Sequence, residues 1–204
     1  MKNFFSLNLR AYWAGFKAII TFTVIVILYT ILMTGIGQLG MPDKANGSMV
    51  TDAEGNIVGS SLIGQNFTDA DGNALDEYFQ SRPSAAGDNG YDASASSGTN
   101  KGHQDADLIK SVRERRSEIA KREGVSVKEV PADATTASSS GLDPHISPDY
   151  AAIQVKRVAK ARGLSEEKVE KIVKDNTTGR GLGFVGEPVV NVVTLNLDLD
   201  KLEK

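Results

Sequence analysis

The chain has 204 residues, 40% of them apolar, no cysteine and a formal charge of only −3. At roughly 100 to 200 residues per domain this allows one compact domain beside an anchor, and the missing cysteine excludes disulfides, thiolate chemistry and Cys-based zinc sites. Residues 1–40 carry Lys2, Arg10 and Lys17 and no acid, which leaves 20 basic against 26 acidic residues beyond them; an acidic domain of that kind lacks the basic face that nucleic-acid phosphates require.

From Ala18 to Leu39 there are 22 residues without a charge, and twelve are Ile, Leu, Val or Phe. As a helix they span about 33 Å, against a hydrocarbon core of roughly 30 Å. The twelve favour insertion by about 4 to 7 kcal/mol, less the cost of Thr, Gly and Gln. The run is too long for the apolar core of a cleaved secretory signal and lacks an A-x-A-like site, so a retained anchor is expected. The basic residues that precede it place residues 1–17 in the cytoplasm, the span at 18–39 and residues 40–204 outside. Tyr12, Trp13 and Phe16 beside Lys17 suit an interfacial aromatic belt. Gly35 and Gly37 either admit a neighbouring helix or simply loosen the helix end.

Beyond Pro42, two short strands are expected near Ser48–Thr51 and Ile57–Ser60, joined by Asp52-Ala-Glu-Gly55. From Thr68 to Ser140 the composition turns to Gly, Ser, Asn, Asp and Ala, which by itself indicates a long loop or disorder. One helix interrupts it, Ala106–Glu123, with Leu108, Val112 and Ile119 on one face and Gly124 as its stop. Its Arg113, Arg115, Arg116, Lys121 and Arg122 alternate with Glu114, Glu118 and Glu123, the pattern of a solvated, salt-bridged face rather than an anion site. Ser147-Pro148 opens a helix to Arg162 that ends at Gly163, and Ser165 caps another with Val169, Ile172 and Val173 at core spacing. The terminal VVNVVTLNLDLD, Val189–Asp200, alternates with period two from Val193 and predicts a half-buried strand. The expected fold class is α+β: one transmembrane helix, then a single extracytoplasmic mixed domain.

Catalytic patterns are sparse. Gly59–Gln65 has the two glycines of a phosphate loop but Gln65 where its lysine belongs, and no G-x-S-x-G elbow occurs. His103 and His145 are the only histidines; His145, ahead of a helix, suits a structural hydrogen bond better than a metal. Asp143, Asp149 and Glu187 either attract cations or make caps and turns, the commoner role.

Several blocks together resemble the C subunit of the Kdp potassium-transporting ATPase. SGLDPHISP at Ser140–Pro148 is the most characteristic; GSSLIGQNF at Gly59–Phe67, YFQSRPSA at Tyr78–Ala85, YDASASSGTN at Tyr91–Asn100, QVKRVAKARG at Gln154–Gly163, GRGLGFVGEP at Gly179–Pro188 and the terminal VNVVTLNLDLD follow the same order. Val189 departs from the pattern, in which a basic residue usually follows Gly-Glu-Pro. The resemblance implies an ordered loop over Arg82–Asn100, whose small residues allow tight turns and close backbone approach. It also implies a non-catalytic accessory subunit of an ATP-driven potassium uptake complex, without the D-K-T-G-T phosphorylation motif. Its partners would be a channel-like potassium-binding subunit, the P-type ATPase subunit and a small fourth subunit. The subunit then stabilises assembly and covers the outer mouth of the potassium-binding subunit. Candidate interface residues are Gly35, Gly37, Arg82, Tyr91, Asp143, His145 and Glu187. An alternative proposed for the family is a catalytic chaperone that raises the ATP affinity of the motor, with Gln154 and Arg157, three apart on one helix face, touching nucleotide. Otherwise no cofactor of its own and no metal are implied. A domain outside the membrane cannot reach cytoplasmic ATP, which favours the structural role.

Overall fold

The computed structural model describes residues 2–203, and its elements divide into two units after Ser48. The first unit is helical. Helix α1, Lys2–Gly40, includes the apolar run but begins well before it, so the segment expected to precede the anchor is helical as well. Leu9–Gly40 has the length and composition of a membrane anchor. Its apolar side chains lie bare: Ile19, Phe22, Leu28 and Ile31 are each more than 60% exposed, which water would not tolerate over a whole helix and lipid would. A short helix, α2 (Pro42–Ala45), folds back so that the Gln38 amide donates to Asn46 at 3.1 Å.

The second unit opens with the expected hairpin, β1 (Met49–Thr51) against β2 (Ile57–Ser60), antiparallel with Val50 opposite Gly59. Its turn is fixed by the Asp52 carboxylate, which accepts the N–H groups of Glu54 and Asn56 at 3.0 and 2.8 Å. From 61 to 105 the described chain forms no helix or strand apart from one bridge between Thr68 and Ala74.

Helix α3, Ala106–Glu123, starts where the Asp105 side chain accepts the N–H groups of Asp107 and Leu108, and ends at Gly124 with φ +69°. After β3 (His145–Ile146), α4 (Pro148–Arg162) is capped by Ser147 and stopped by Gly163. Helix α5, Glu166–Asp175, is capped by Ser165. Strands β4 (Thr177–Thr178) and β5 (Val189–Asn191) complete a three-stranded antiparallel sheet in the order β3-β5-β4. The core gathers Phe79, Ile119, Ile146, Tyr150, Val158, Val169, Val190, Leu195 and Leu199.

Two expectations are corrected. The terminal strand is confined to Val189–Asn191; Val192–Asp200 is a helix, α6. Asn191 turns the chain by accepting the N–H groups of Val193 and Thr194 on its side-chain oxygen. The buried residues Val192, Leu195, Asn196 and Leu199 then recur at helical spacing. The basic face of α3 is not uniformly solvated either. Lys110 and Glu114 do form a surface pair, but Arg115, Arg116 and Arg122 are half-buried and Glu123 is buried.

The Gly/Ser segment is ordered by the unit's own residues. The Ser84 hydroxyl donates to the carbonyl of Gly141 at 2.6 Å and accepts the N–H of Tyr91 at 2.8 Å. The Ser96 hydroxyl and the Ser97 N–H reach the Ser140 carbonyl. Gly141 has φ +67°, and a Cβ there would meet the Ser97 carbonyl oxygen at 2.6 Å and the Ala86 nitrogen at 2.9 Å.

Two predictions test these placements. Leu195→Ala should cost about 2 to 5 kcal/mol, as deletion of a buried leucine does, while Leu197→Ala should cost under about 1 kcal/mol. A strand would bury both alike, so equal losses in denaturant unfolding would contradict the helix. Gly141→Ala should detach the segment 82–100, read as accelerated amide exchange there with exchange in α4 nearly unchanged; undiminished protection would show that the segment does not depend on this approach.

Candidate functional site

The chemistry of the domain concentrates at residues 75–84, where the chain passes inward at Phe79 and Gln80. Phe79 is fully buried and Gln80 is 7% exposed, yet neither lies in a strand. Their backbone polar groups therefore need side-chain partners. Asn196, on the buried face of α6, accepts the Phe79 N–H at 2.9 Å and donates to the Phe79 carbonyl at 3.0 Å. Gln154, on the buried face of α4, accepts the Gln80 N–H at 2.7 Å and donates to its carbonyl at 3.3 Å. Two side-chain amides thus replace a neighbouring strand.

Arginines bind the carbonyls just before that point. The Arg157 guanidinium donates to the carbonyls of Asp76, Tyr78 and Leu75, to Gln154 Oε1 at 2.9 Å and, through Nε, to Glu123 Oε2 at 2.9 Å. Arg162 donates to the Glu77 carbonyl at 2.6 Å and to Asp200 at 2.7 Å, and lies 4.8 Å from the centre of the Tyr78 ring. Glu123, whose side chain is wholly buried, is matched by Arg157 and by Arg122 Nε at 2.6 Å. Arg122 in turn donates to the Tyr150 hydroxyl at 3.2 Å.

Gln154 and Arg157 are therefore brought together, as their spacing on α4 predicts, and both face inward. Gln154 is 0% exposed. A cysteine at position 154 would not meet a reagent in solution.

A second cluster ties the Ser140–Pro148 block to the Gly/Ser segment. Arg82 pairs with Asp143 at 3.1 Å and donates to the Thr136 carbonyl at 3.3 Å. Asp143 Oδ1 also accepts the backbone N–H of His145 and lies 3.2 Å from its Nδ1. Burial alone would raise the Asp143 pKa; the hydrogen bonds from His145 and the Arg82 charge outweigh it and hold the carboxyl below its usual range. Tyr91, with φ +57°, donates its hydroxyl to the Arg82 carbonyl at 2.8 Å, and burial pushes its pKa up to about 12.

The remaining candidates are dispersed. Asp149 is exposed in the first turn of α4, and Glu187 pairs with Arg180 at 2.6 Å. Gly37 would bring a Cβ to ordinary contact with Ala45, whereas nothing lies within 4 Å of a Cβ at Gly35. His103 joins neither cluster, and among the described residues no group of three or more His, Cys, Asp or Glu side chains is placed to hold a metal ion. A polar depression of roughly 810 Å³ borders Gln80–Ser84. Arg82, Arg115 and Arg122 there face Asp69, Asp88 and Glu118 in equal number, so it offers no charge of one sign for a phosphate.

Asn196, Glu123 and Arg162 do not stand out in the sequence: Asn196 falls on the polar side of the expected strand and Glu123 on the expected solvated face. The helical spacing Val192, Leu195, Asn196, Leu199, together with the Asn191 cap ahead of it, is what signals that Asn196 turns inward.

Phe79, Gln80 and Arg82, Asp143 and His145, and Gln154, Arg157 and Arg162 fall in the blocks YFQSRPSA, SGLDPHISP and QVKRVAKARG, and comparison with known proteins covers all of them together with the rest of both clusters. Residues 12–201 match the family model described as the K+-transporting ATPase, c chain. The potassium-transporting ATPase KdpC subunit of Beijerinckia indica is 48% identical over 187 residues, 91% of each chain. Its counterpart in Kineococcus radiotolerans is 49% identical over 173 residues, 85% of this chain and 84% of the relative. That of Mycobacterium tuberculosis is 47% identical over 186 residues, 90% and 94%. With the anchor, the clasp and the capped helices all inside the matched span, the chain belongs to the family of C chains of potassium-transporting ATPases.

Proposed function

We propose that the chain is a non-catalytic accessory subunit of an ATP-driven potassium uptake complex, which stabilises assembly and covers the outer mouth of the potassium-binding subunit. Its partners are that channel-like subunit, the P-type ATPase subunit and a small fourth subunit. α1 fixes it in the bilayer with its N-terminus in the cytoplasm, and the mixed domain stands outside.

The observation that carries this reading is the engagement of Gln154 and Arg157. In a nucleotide site, arginine would present its fork to phosphate and glutamine its amide to a base or ribose. Here the Gln154 amide spans the backbone of Gln80, and the Arg157 guanidinium is divided among Glu123, Gln154 and three carbonyls. Ligand contact would require both to release the segment that they hold. The charge asymmetry around α1 supports the same reading, because it puts the domain on the side away from cytoplasmic ATP. Potassium transport, in this reading, needs no cofactor held by this chain.

The test separates assembly from nucleotide affinity. Gln154→Ala leaves the buried N–H of Gln80 without its acceptor, a loss of about 1 to 3 kcal/mol. The amount of complex recovered should fall, while the Michaelis constant for ATP in the complex that forms should stay within about twofold of the unmodified value. A large rise in that constant with assembly intact would favour the chaperone alternative. For orientation, a cysteine in place of Ala152, exposed on α4 in a chain with no cysteine of its own, should be labelled in intact cells by a membrane-impermeant thiol reagent. Labelling only after the cytoplasm is opened would defeat the reading.

A further inference from the structure

Between β4 and β5 the chain projects a narrow hairpin, residues 179–188, whose tip is apolar. Gly181 and Val185 exchange both backbone hydrogen bonds at 2.8 Å, and the Arg180–Glu187 pair at 2.6 Å closes the neck below them. Leu182 is 88% exposed, Phe184 73% and Val185 54%. Leu182 and Phe184 are the two most exposed large apolar side chains among the described residues of the domain. They are not simply frayed outward: the backbone of Leu182 is held at φ +53°, in the left-handed region that a side chain with a Cβ adopts at a cost, and Gly183 follows at φ +83°. The Gly183 N–H donates to the Arg180 carbonyl and the Phe184 N–H to that of Gly181. Backbone strain and hydrogen bonds together present apolar groups to the outside.

We infer that this tip is a docking knob: Leu182 and Phe184 insert into an apolar pocket on another subunit of the transport complex. The inference rests on the subunit reading above. Three features favour a protein pocket over other occupants. A fixed, strained direction serves a receiver of fixed shape, whereas lipid is fluid and demands none. The neck carries one charge of each sign, paired, so it lacks the surplus of Lys and Arg that draws surface-binding segments to anionic lipid. The tip is also far smaller than the roughly 800 Å² per partner of a stable independent interface. It therefore cannot hold two free copies together, but it can contribute to binding between chains already kept in proximity by a membrane helix. Buried aromatic and aliphatic anchors surrounded by weaker contacts are the usual centres of such interfaces.

The test uses the whole complex, isolated from membranes through an affinity tag on a different subunit. Phe184→p-benzoylphenylalanine, irradiated in the complex, should yield a covalent product with another subunit, and the same replacement at Val127, 50% exposed elsewhere, should not. In a second arm, Leu182→Asp combined with Phe184→Asp should lower the share of this chain retained through a detergent wash by about tenfold, with the melting temperature of the isolated full-length chain unchanged. A product with lipid, a product with a second copy of the chain, or no product from a complex that contains the chain at its normal ratio would each overturn the knob while leaving the subunit reading intact. Absence of the unmodified chain from the isolated complex would instead overturn the reading on which the knob rests.

Discussion

A peptide segment buried without a neighbouring strand must still satisfy its N–H and C=O groups, and the arrangement of this domain depends on how Phe79 and Gln80 meet that requirement. Each buried backbone group left unpaired costs about 1 to 3 kcal/mol, and a domain of this kind has only about 5 to 15 kcal/mol of stability in all. Asn196 and Gln154 between them satisfy both groups of Phe79 and of Gln80, so either amide governs a sizeable share of the margin. The requirement also fixes geometry. An amide spans a peptide group only when its helix stands at one distance and one rotation, so α4 and α6 are positioned by the segment between them as much as by their apolar faces. Glu123 extends the same constraint to α3, since its carboxylate holds Arg157 of α4 in the orientation that reaches the carbonyls. A buried ion pair is poor support for stability in itself, because desolvation offsets the attraction. Its consequence here is orientation.

The Gly/Ser segment solves a related problem by the opposite means. It buries little apolar area, which cannot offset the roughly 1 to 2 kcal/mol per residue lost on ordering a backbone. Order comes from short hydroxyl bridges and from approaches that only glycine permits. At Gly64 a Cβ would strike the Tyr91 ring and the Asp143 carbonyl, and at Gly98 it would meet the Ser139 carbonyl oxygen at 2.8 Å. The Arg82–Asp143 pair then ties the segment to the Ser140–Pro148 block, and the Tyr91 hydroxyl closes the segment on its own Arg82 carbonyl. Such contacts are specific without being adhesive, and they suit a segment whose shape matters more than its stickiness.

What could be read from the sequence follows from this division. Helix ends were legible because capping is local: Asp105, Ser147 and Ser165 each lie within a few residues of the N–H groups that they serve. The apolar run was legible because lipid imposes a length. The terminal helix was not, since LNLDLD satisfies a period of two along its polar half while Val192, Leu195 and Leu199 satisfy 3.6, and only the Asn191 cap decides between them. Partnerships across the chain were also invisible. Gln154 meets Gln80 and Arg157 meets Asp76 at separations of 74 and 81 residues, and no local pattern encodes such a meeting. The resemblance identified the blocks that matter without revealing that they meet to hold one another.

That mutual engagement bears on function. An active site keeps some polar groups poised toward a space that substrate will fill, often at the expense of stability. In the clasp the opposite holds: the glutamine, the asparagine, the arginine and the glutamate most deeply placed are directed at the protein's own backbone or at one another. In the accessory role proposed above, a chain with such an interior acts on its surroundings chiefly through shape and through what it leaves bare on its surface. Its barest apolar surfaces are the sides of α1 and the tip at Leu182 and Phe184, one suited to lipid and neighbouring helices, the other held rigidly by backbone hydrogen bonds. In the proposed reading, binding energy placed at such points holds subunits together without any chemistry of its own.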